Sequence, residues 1–291
     1  MLSLHTNAAS LSAQNSLSRT QSSLSTSMTR LSTGYRINSS MDDAAGLQIA
    51  TRLKAQTSGM AVAMRNAQNS TSMLQTADGA LGEVSNILVR MKDLATQSAD
   101  ASSTADDQKA MQSEFDSLGN ELNNIMTNTT FGGSPLLKGG TIASAMTFQI
   151  GAGKDETMTL DLSAAGTVGS MTDLDTALGT VSANYATQNT GGSELTAVGG
   201  AKTAIDNITK AINSLGATRS ALGGAANRLD HVFNNLSNIS TNTQNATGRI
   251  MDVDFATESS SMTSNQMLMQ AGTAMLKQTN SMSSMVMSLL Q

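Results

Sequence analysis

The chain carries two imidazoles, His5 and His231, and no cysteine. Zinc hydrolysis or deamination needs His, Cys and carboxylate ligands at short fixed spacings, and neither histidine has a second one a helical turn away. Without cysteine, disulfides and thiolate metal sites are excluded. His231 beside Asp230 reads as a polar pair on a helix surface rather than a catalytic dyad. Asp42-Asp43 and Lys154-Asp155-Glu156 bring acids and a base together in sequence. Neighbouring side chains on extended or turn backbone point apart, so solvated or capping roles are expected there. Gly151-Ala152-Gly153 lacks the third glycine and the following helix of a phosphate loop, and reads as a hairpin turn. The methionines between positions 262 and 287 are soft ligands by type, but with no Cys or His beside them packing is expected. Nothing in the chain calls for an enzyme, a metal or a cofactor.

Of 291 residues, 39% are hydrophobic but only 2% aromatic, and 20 are methionine. Compact cores usually lean on large rings. Here Ala, Leu, Ile, Val and Met must fill the interior, which suits long helices lying close together. Pro135 is the one proline, so helices can run far without interruption. The net charge is −5 and no Lys/Arg cluster forms a phosphate footprint, so neither nucleic acid nor a basic membrane contact is expected. No run approaches the roughly 18 apolar residues of a membrane span. The start, MLSLHTNAASLSAQ, has neither the basic nor the apolar region of a signal peptide, so export is expected to use a dedicated secretion machine.

The strongest periodicity runs through Leu53, Met60, Ala67, Leu74, Leu81, Leu88 and Ala95, spaced by seven. Gln56, Ala63, Ser70, Ala77, Val84, Met91 and Ser98 interleave, which predicts a heptad helix roughly 70 Å long. Thr104 with Asp107 then signals an N-cap, before a shorter helix carrying Met111, Phe115, Leu118, Leu122 and Ile125. Period-two segments at 147–150 and 157–162 flank turn residues and predict a β-hairpin. Residues 164–192 are the most loop-like, with one short helical stretch near 171–178. A second heptad stretch uses Ala201, Ile208, Leu215, Leu222, Leu229 and Leu236, with Ile205, Ile212, Ala226 and Phe233 as its second seam and Arg219 interrupting it. Residues 242–254 are expected to form a hinge.

The two ends are alike. Before Asp42 there is no acid, and after Glu258 the sole charge is Lys277. Leu4, Leu11, Leu17, Leu24 and Leu31 form a thin stripe at the front; Leu268, Met275, Met282 and Leu289 step by sevens at the back, with Ala271 and Met285 on the same face. Such stripes bury too little for a lone helix to persist in water. They make sense if the termini fold against each other and against other copies, which points to a polymer subunit. The expected fold is mainly α: a long, antiparallel, coiled-coil-like helical bundle with a β-hairpin insert and paired terminal helices.

Several segments resemble bacterial flagellin. Leu31-Ser32-Thr33-Gly34-Tyr35-Arg36-Ile37-Asn38 and Asp42-Asp43-Ala44-Ala45-Gly46-Leu47-Gln48-Ile49 are similar to its N-terminal signature. Asp93-Leu94-Ala95-Thr96-Gln97-Ser98-Ala99 resembles its receptor-facing segment, and Phe148-Gln149-Ile150-Gly151 its hairpin strand. Ile250-Met251-Asp252-Val253-Asp254-Phe255-Ala256-Thr257-Glu258 and Gln270-Ala271-Gly272-Thr273 resemble its C-terminal signature. The resemblance implies a secreted, extracellular subunit of the flagellar filament, used for swimming or swarming and built as a helical polymer of itself. Its implied partners are the flagellar export apparatus and a flagellin chaperone, the filament cap and hook-junction proteins, and the vertebrate Toll-like flagellin receptor. It implies residues 1–42 and 255–291 as the halves of an inner filament-core domain. Residues 43–165 and 195–254 would make a helical domain, and 166–194 a short, surface-exposed variable insert. The filament-core interface is expected at Leu4, Leu11, Leu17, Leu24, Leu31, Leu268, Met275, Met282 and Leu289. Arg90, Leu94 and Glu114 match positions of receptor contact, with Leu94 expected as an exposed apolar partner of Arg90. A hook–filament junction protein is the nearest alternative; a chemoreceptor-like signalling coiled coil is more distant, because it needs a membrane span.

Overall fold

The computed structural model describes the backbone of residues 7–289 and the side chains of residues 7–282. Its elements, in chain order, are α1 (Ala8–Thr33), α2 (Ala44–Ser98), α3 (Ala105–Asn128), β1 (Thr130–Phe131), β2 (Ser134–Pro135), β3 (Met146–Gln149), β4 (Thr157–Leu160), α4 (Met171–Val181), α5 (Ala183–Ala186), α6 (Gly200–Met251) and α7 (Phe255–Leu289). None of the described helices is long and apolar enough to cross a membrane. Two compact units share these elements: Ser58–Ser240, and a second made of the residues up to Thr57 together with those from Thr241 on. The division falls inside α2 and α6, not at the punctuation near residues 42 and 254.

In the 58–240 unit, Met60, Ala67, Leu74, Leu81, Leu88 and Ala95 of α2 are all buried, as are Ala63, Ala77, Val84 and Met91. The heptads therefore mark a real seam from Met60 onward. Met60 and Ala63 cluster with Leu236, and Asp78 accepts from Arg219 Nε at 2.7 Å and Nη2 at 3.2 Å, so α2 and α6 run antiparallel. Each fully buried leucine on such a seam contributes about 1.5–3 kcal/mol. On α6 the second seam differs from the one expected. Ala204, Ala211, Thr218 and Ala225 are buried, whereas Ile205, Ile212 and Ala226 are only partly covered and pack against the edge of the core. Small side chains take the line of closest helix approach, and the larger isoleucines fill its flank. Arg219 thus sits beside the seam rather than breaking it.

Local chemistry sets the turns. Thr104 accepts from the Asp107 amide at 3.2 Å while Asp107 accepts from the Thr104 amide at 3.0 Å, a reciprocal cap that starts α3. Strands β3 and β4 pair antiparallel with Phe148 opposite Met158, as the period-two pattern predicts. Met146 and Met158 point into the core.

Residues 166–194 are not simply an exposed insert. Met171, Leu174, Leu178 and Val181 form a helical stripe that is buried to within 2% exposure, and Tyr185 is buried beside it. Loop-like composition hid this stripe because its polar face is Thr, Asp and Gly. Burial and the Asp175 carboxylate, which accepts from the Tyr185 hydroxyl, push the phenol well above its ordinary range. Lys138 Nζ lies 4.3 Å from the ring centroid. One face of α3 holds the following segment. Gln112 Oε1 accepts from the Leu195 amide at 2.7 Å, Asp116 from the Gly192 amide at 3.1 Å, and Asn120 Oδ1 from the Asn189 amide at 3.1 Å. The continuous exposed runs here are 166–168 and 186–191.

A Cβ added at Gly119 would lie 2.4 Å from Ser182 Oγ, 3.1 Å from Ser182 Cβ and 3.2 Å from Asn184 Cβ. Helix propensity alone makes Gly→Ala stabilising by about 1 kcal/mol. Overpacking against α5 reverses that sign. Gly119→Ala is expected to lower the unfolding free energy of the 58–240 unit by about 1–3 kcal/mol, measured by urea denaturation followed by circular dichroism. A higher midpoint would show that Ser182 does not press on α3.

Candidate assembly interface

Helices α1 and α7 pair antiparallel. Ser10 Oγ donates to Asn280 Oδ1 at 3.2 Å, Arg30 Nη1 lies 3.7 Å from Glu258 Oε2, and Tyr35 bridges Asp252. The pairing face of α1 is Ser10, Ala13, Leu17, Thr20, Leu24, Ser27 and Leu31, a heptad seam in which Leu24 and Ser27 are fully buried. On α7 the partly covered residues are Glu258, Met262, Asn265, Met269, Gly272, Leu276 and Thr279, again at heptad spacing.

The expected interface residues therefore divide. Leu17, Leu24 and Leu31 are engaged within the chain, by α7. Leu11, Leu268, Met275 and Met282 face outward and are 55%, 59%, 63% and 57% exposed. Leu4 and His5 lie outside the described residues, as do the side chains of Met285 and Leu289. Helix α7 thus carries two apolar stripes offset by one residue, roughly 100° around its axis. Met262, Met269 and Leu276 meet α1; Leu268, Met275 and Met282 meet nothing in this chain. The inner stripe escaped the sequence reading because both stripes have the same seven-residue period and one helix cannot say which of them has a partner.

The signature segment before α2 is a compact connector. Gly34 caps α1 in a left-handed conformation (φ +76°). Its carbonyl then accepts from the Val253 amide at 3.0 Å, and the Arg36 guanidinium donates to the Ile250 carbonyl at 2.8 Å. Asp42 Oδ2 accepts from the amides of Ser39 and Asn38 at 2.9 and 3.0 Å, and Asp43 Oδ1 caps α2 through the Gly46 amide at 2.8 Å. Gly46 has to be small. A Cβ there would sit 2.4 Å from Asp43 Oδ2 and 2.9 Å from the buried Ile37 Cδ1. The acidic pair is a turn-and-cap device, in keeping with the capping role read for it. Helix α6 runs unbroken to Met251, so the hinge expected over 242–254 shrinks to three residues. No proline falls there, and polar residues short of proline cost a helix less than about 1 kcal/mol each. Asp254 Oδ1 restarts the chain by accepting from the Ala256 amide at 3.0 Å.

Backbone and hydroxyl donors hold the Asp42 carboxyl below its ordinary range, chiefly the Ser39 amide, and those of Asp254 likewise, chiefly Thr257. A carboxylate depressed in the folded state stabilises it above the unfolded pKa and loses that effect as pH falls through the folded one. Amide exchange at Ser39 and Ala256 is therefore expected to be protected at neutral pH and to accelerate, relative to mid-helix α2 amides, once pH drops below 3.8, the ordinary value for an aspartate carboxyl. Protection unchanged across that range would remove the two carboxylates from these turns.

Arg90 and Glu114 meet on the surface between α2 and α3, with Nη2 to Oε1 at 2.7 Å and Nε to the same oxygen at 2.8 Å. Leu94 does not join them there. It is 3% exposed and belongs to the core, which corrects its expected place as an exposed contact. Its position, one short of the seam residue Ala95, lies on the side of α2 that further core elements cover. Among the described residues no group of His, Asp and Glu is placed to hold a metal. What the described residues do present is an uncovered apolar face on α7.

The family model for the bacterial flagellin N-terminal helical region matches residues 4–141, and that for the bacterial flagellin C-terminal helical region matches residues 205–290. Polar flagellin F of Vibrio parahaemolyticus is 47% identical over 168 residues, covering 58% of this chain and 44% of that protein. Flagellin C of Vibrio cholerae is 47% identical over 161 residues, covering 55% of this chain and 42% of that protein. The chain thus spans less than half the length of these relatives. A solved structure provisionally assigned as a flagellar hook-associated protein of Vibrio parahaemolyticus aligns with a TM-score of 0.54 over 72% of this chain and 100% of that one. Its identity is 16%, so the likeness is one of fold alone. Matched by both helical-region models over more than two thirds of its length, this chain belongs to the bacterial flagellin family.

Proposed function

We propose that this chain is the structural subunit of the extracellular flagellar filament, polymerising with copies of itself and catalysing no reaction. The observation that carries this reading is the unpartnered stripe of Leu268, Met275 and Met282. Ordering each residue of a helix costs about 1–2 kcal/mol. Among the described residues α1 has two that are fully buried and α7 has none. The α1–α7 pair alone offsets little of that entropy, so neighbouring copies must cover the outward stripe. The same weakness fits delivery: a chain whose terminal helices hold each other by few buried residues can be handed by a chaperone to an export channel and folded beneath a cap. Hook-junction proteins would meet the filament through similar terminal helices. An uncompensated charge at a buried interface costs several kcal/mol. Met275→Asp is accordingly expected to abolish elongation from filament seeds while the 58–240 unit keeps its helicity. Elongation at the wild-type rate, followed by light scattering and electron microscopy, would show that this face stays open to solvent.

Residues 1–42 and 255–291 would then make the filament core, 43–165 and 195–254 the helical domain, and 166–194 its outward segment, exposed at 166–168 and 186–191. Receptor recognition, the finer part of the proposal, rests on Arg90 and Glu114 as an exposed pair, with Leu94 supporting them from the core. Truncating such a charged contact typically costs about 1–3 kcal/mol of binding. Purified Arg90→Ala monomer is expected to activate the Toll-like flagellin receptor less than wild type at equal concentration. Equal activation would strike Arg90 from the contact and leave the filament reading intact.

A further inference from the structure

We propose that Met267, Met275 and Met282 form an oxidation site whose conversion to sulfoxide arrests assembly of the subunit; this rests on the filament reading above. The chain has no cysteine, so methionine sulfur is its one oxidisable side-chain sulfur. Part of that sulfur is shielded: Met60, Met91, Met126, Met158 and Met171 are each no more than 3% exposed. Met267, Met275 and Met282 are 59%, 63% and 57% exposed, on the part of α7 turned away from α1. Leu268 shares their face and Met267 flanks it. The stripe that must become dry on assembly is therefore also the most exposed line of thioethers among the described residues of the paired terminal helices.

The co-reactant is a peroxide. The thioether lone pair attacks one peroxide oxygen, the S–O bond forms as the O–O bond breaks, and the departing oxygen leaves as water after proton transfer. Sulfur loses two electrons and the peroxide gains them. The product is a polar acceptor with no donor of its own, placed where an assembled neighbour offers apolar surface. Burying an acceptor without a partner disfavours the contact. A single free chain tolerates the change, since in it these positions face water. Oxidation acts on association and spares the fold. Reduction by thiol-dependent methionine sulfoxide reductases returns the thioether, which makes the block reversible.

The test uses full-length monomer, treated with hydrogen peroxide, freed of oxidant and added to filament seeds. Untreated monomer must elongate; if it does not, the filament reading itself fails. Peptide mapping should find sulfoxide at 267, 275 and 282 in treated monomer, with seeded elongation slowed about tenfold or more. Circular dichroism of the 58–240 unit should be unchanged. Met267→Leu, Met275→Leu and Met282→Leu combined should elongate after peroxide at its untreated rate, whereas Met41→Leu, in a turn residue 95% exposed, should give no protection. Treatment with both reductases should restore wild-type elongation. Sulfoxide at all three positions with unimpaired elongation overturns the proposal, as does arrest of the triple variant by peroxide. If the triple variant fails to elongate untreated, reductase recovery decides. Recovery that tracks loss of sulfoxide from residues 267–282 supports the site, and recovery without it refutes the site.

Discussion

Helix α7 has two apolar stripes and only one of them has a partner in its own chain. Met262, Met269 and Leu276 lie against α1; Leu268, Met275 and Met282 do not. An α-helix can bring about a third of its circumference to one neighbour, so a second stripe requires a second neighbour. The terminal sequences follow from that requirement. They carry almost no charge, because a charge on either stripe would be buried in one packing or the other. They carry no bulky ring after Phe255, which lets neighbouring helices approach closely. Methionine suits the outer stripe, being apolar and able to fill irregular gaps.

The 58–240 unit solves a different problem. It has few aromatics and is held by close approach of long helices. Alanine and threonine occupy one seam of α6 and large aliphatics the other, so backbones draw together and leucines interdigitate. Several polar groups inside find specific partners. Ser98 donates to the Leu195 carbonyl at 3.1 Å and Gln112 answers the Leu195 amide, so the segment entering α6 is bonded on both its donor and acceptor sides. Surface pairs such as Arg90–Glu114 and Asp78–Arg219 are partly solvated and stabilise by less than about 1 kcal/mol each. Their value is in register.

The connector between α1 and α2 shows how a signature can be structural. Asp42, Asp43 and Gly46 have acid–base chemistry in type, yet each is used on the backbone or on space. Asp42 closes a turn, Asp43 caps a helix and Gly46 leaves room for Ile37. A dense cluster of special residues need not mark a reaction. Here it marks the ten residues, 34–43, that join two helices.

The one-dimensional pattern determined by itself whatever depends on period and on local caps. The seam of α2 from Met60, the Thr104–Asp107 cap, the β3–β4 hairpin and the kinship of the two ends could all be read because neighbours in sequence decide them. Tertiary structure decided whatever depends on which face meets a partner. It sent Leu94 inward, turned Leu17, Leu24 and Leu31 toward α7, and left Leu268, Met275 and Met282 outside. It also folded the stripe of α4 into the core, and it chose Ala204 over Ile205 for the closest line of α6. Heptad spacing states that a stripe exists; only the distance to another helix says whether it is covered. That distance is set by side-chain volume on both helices at once, which no single helix records.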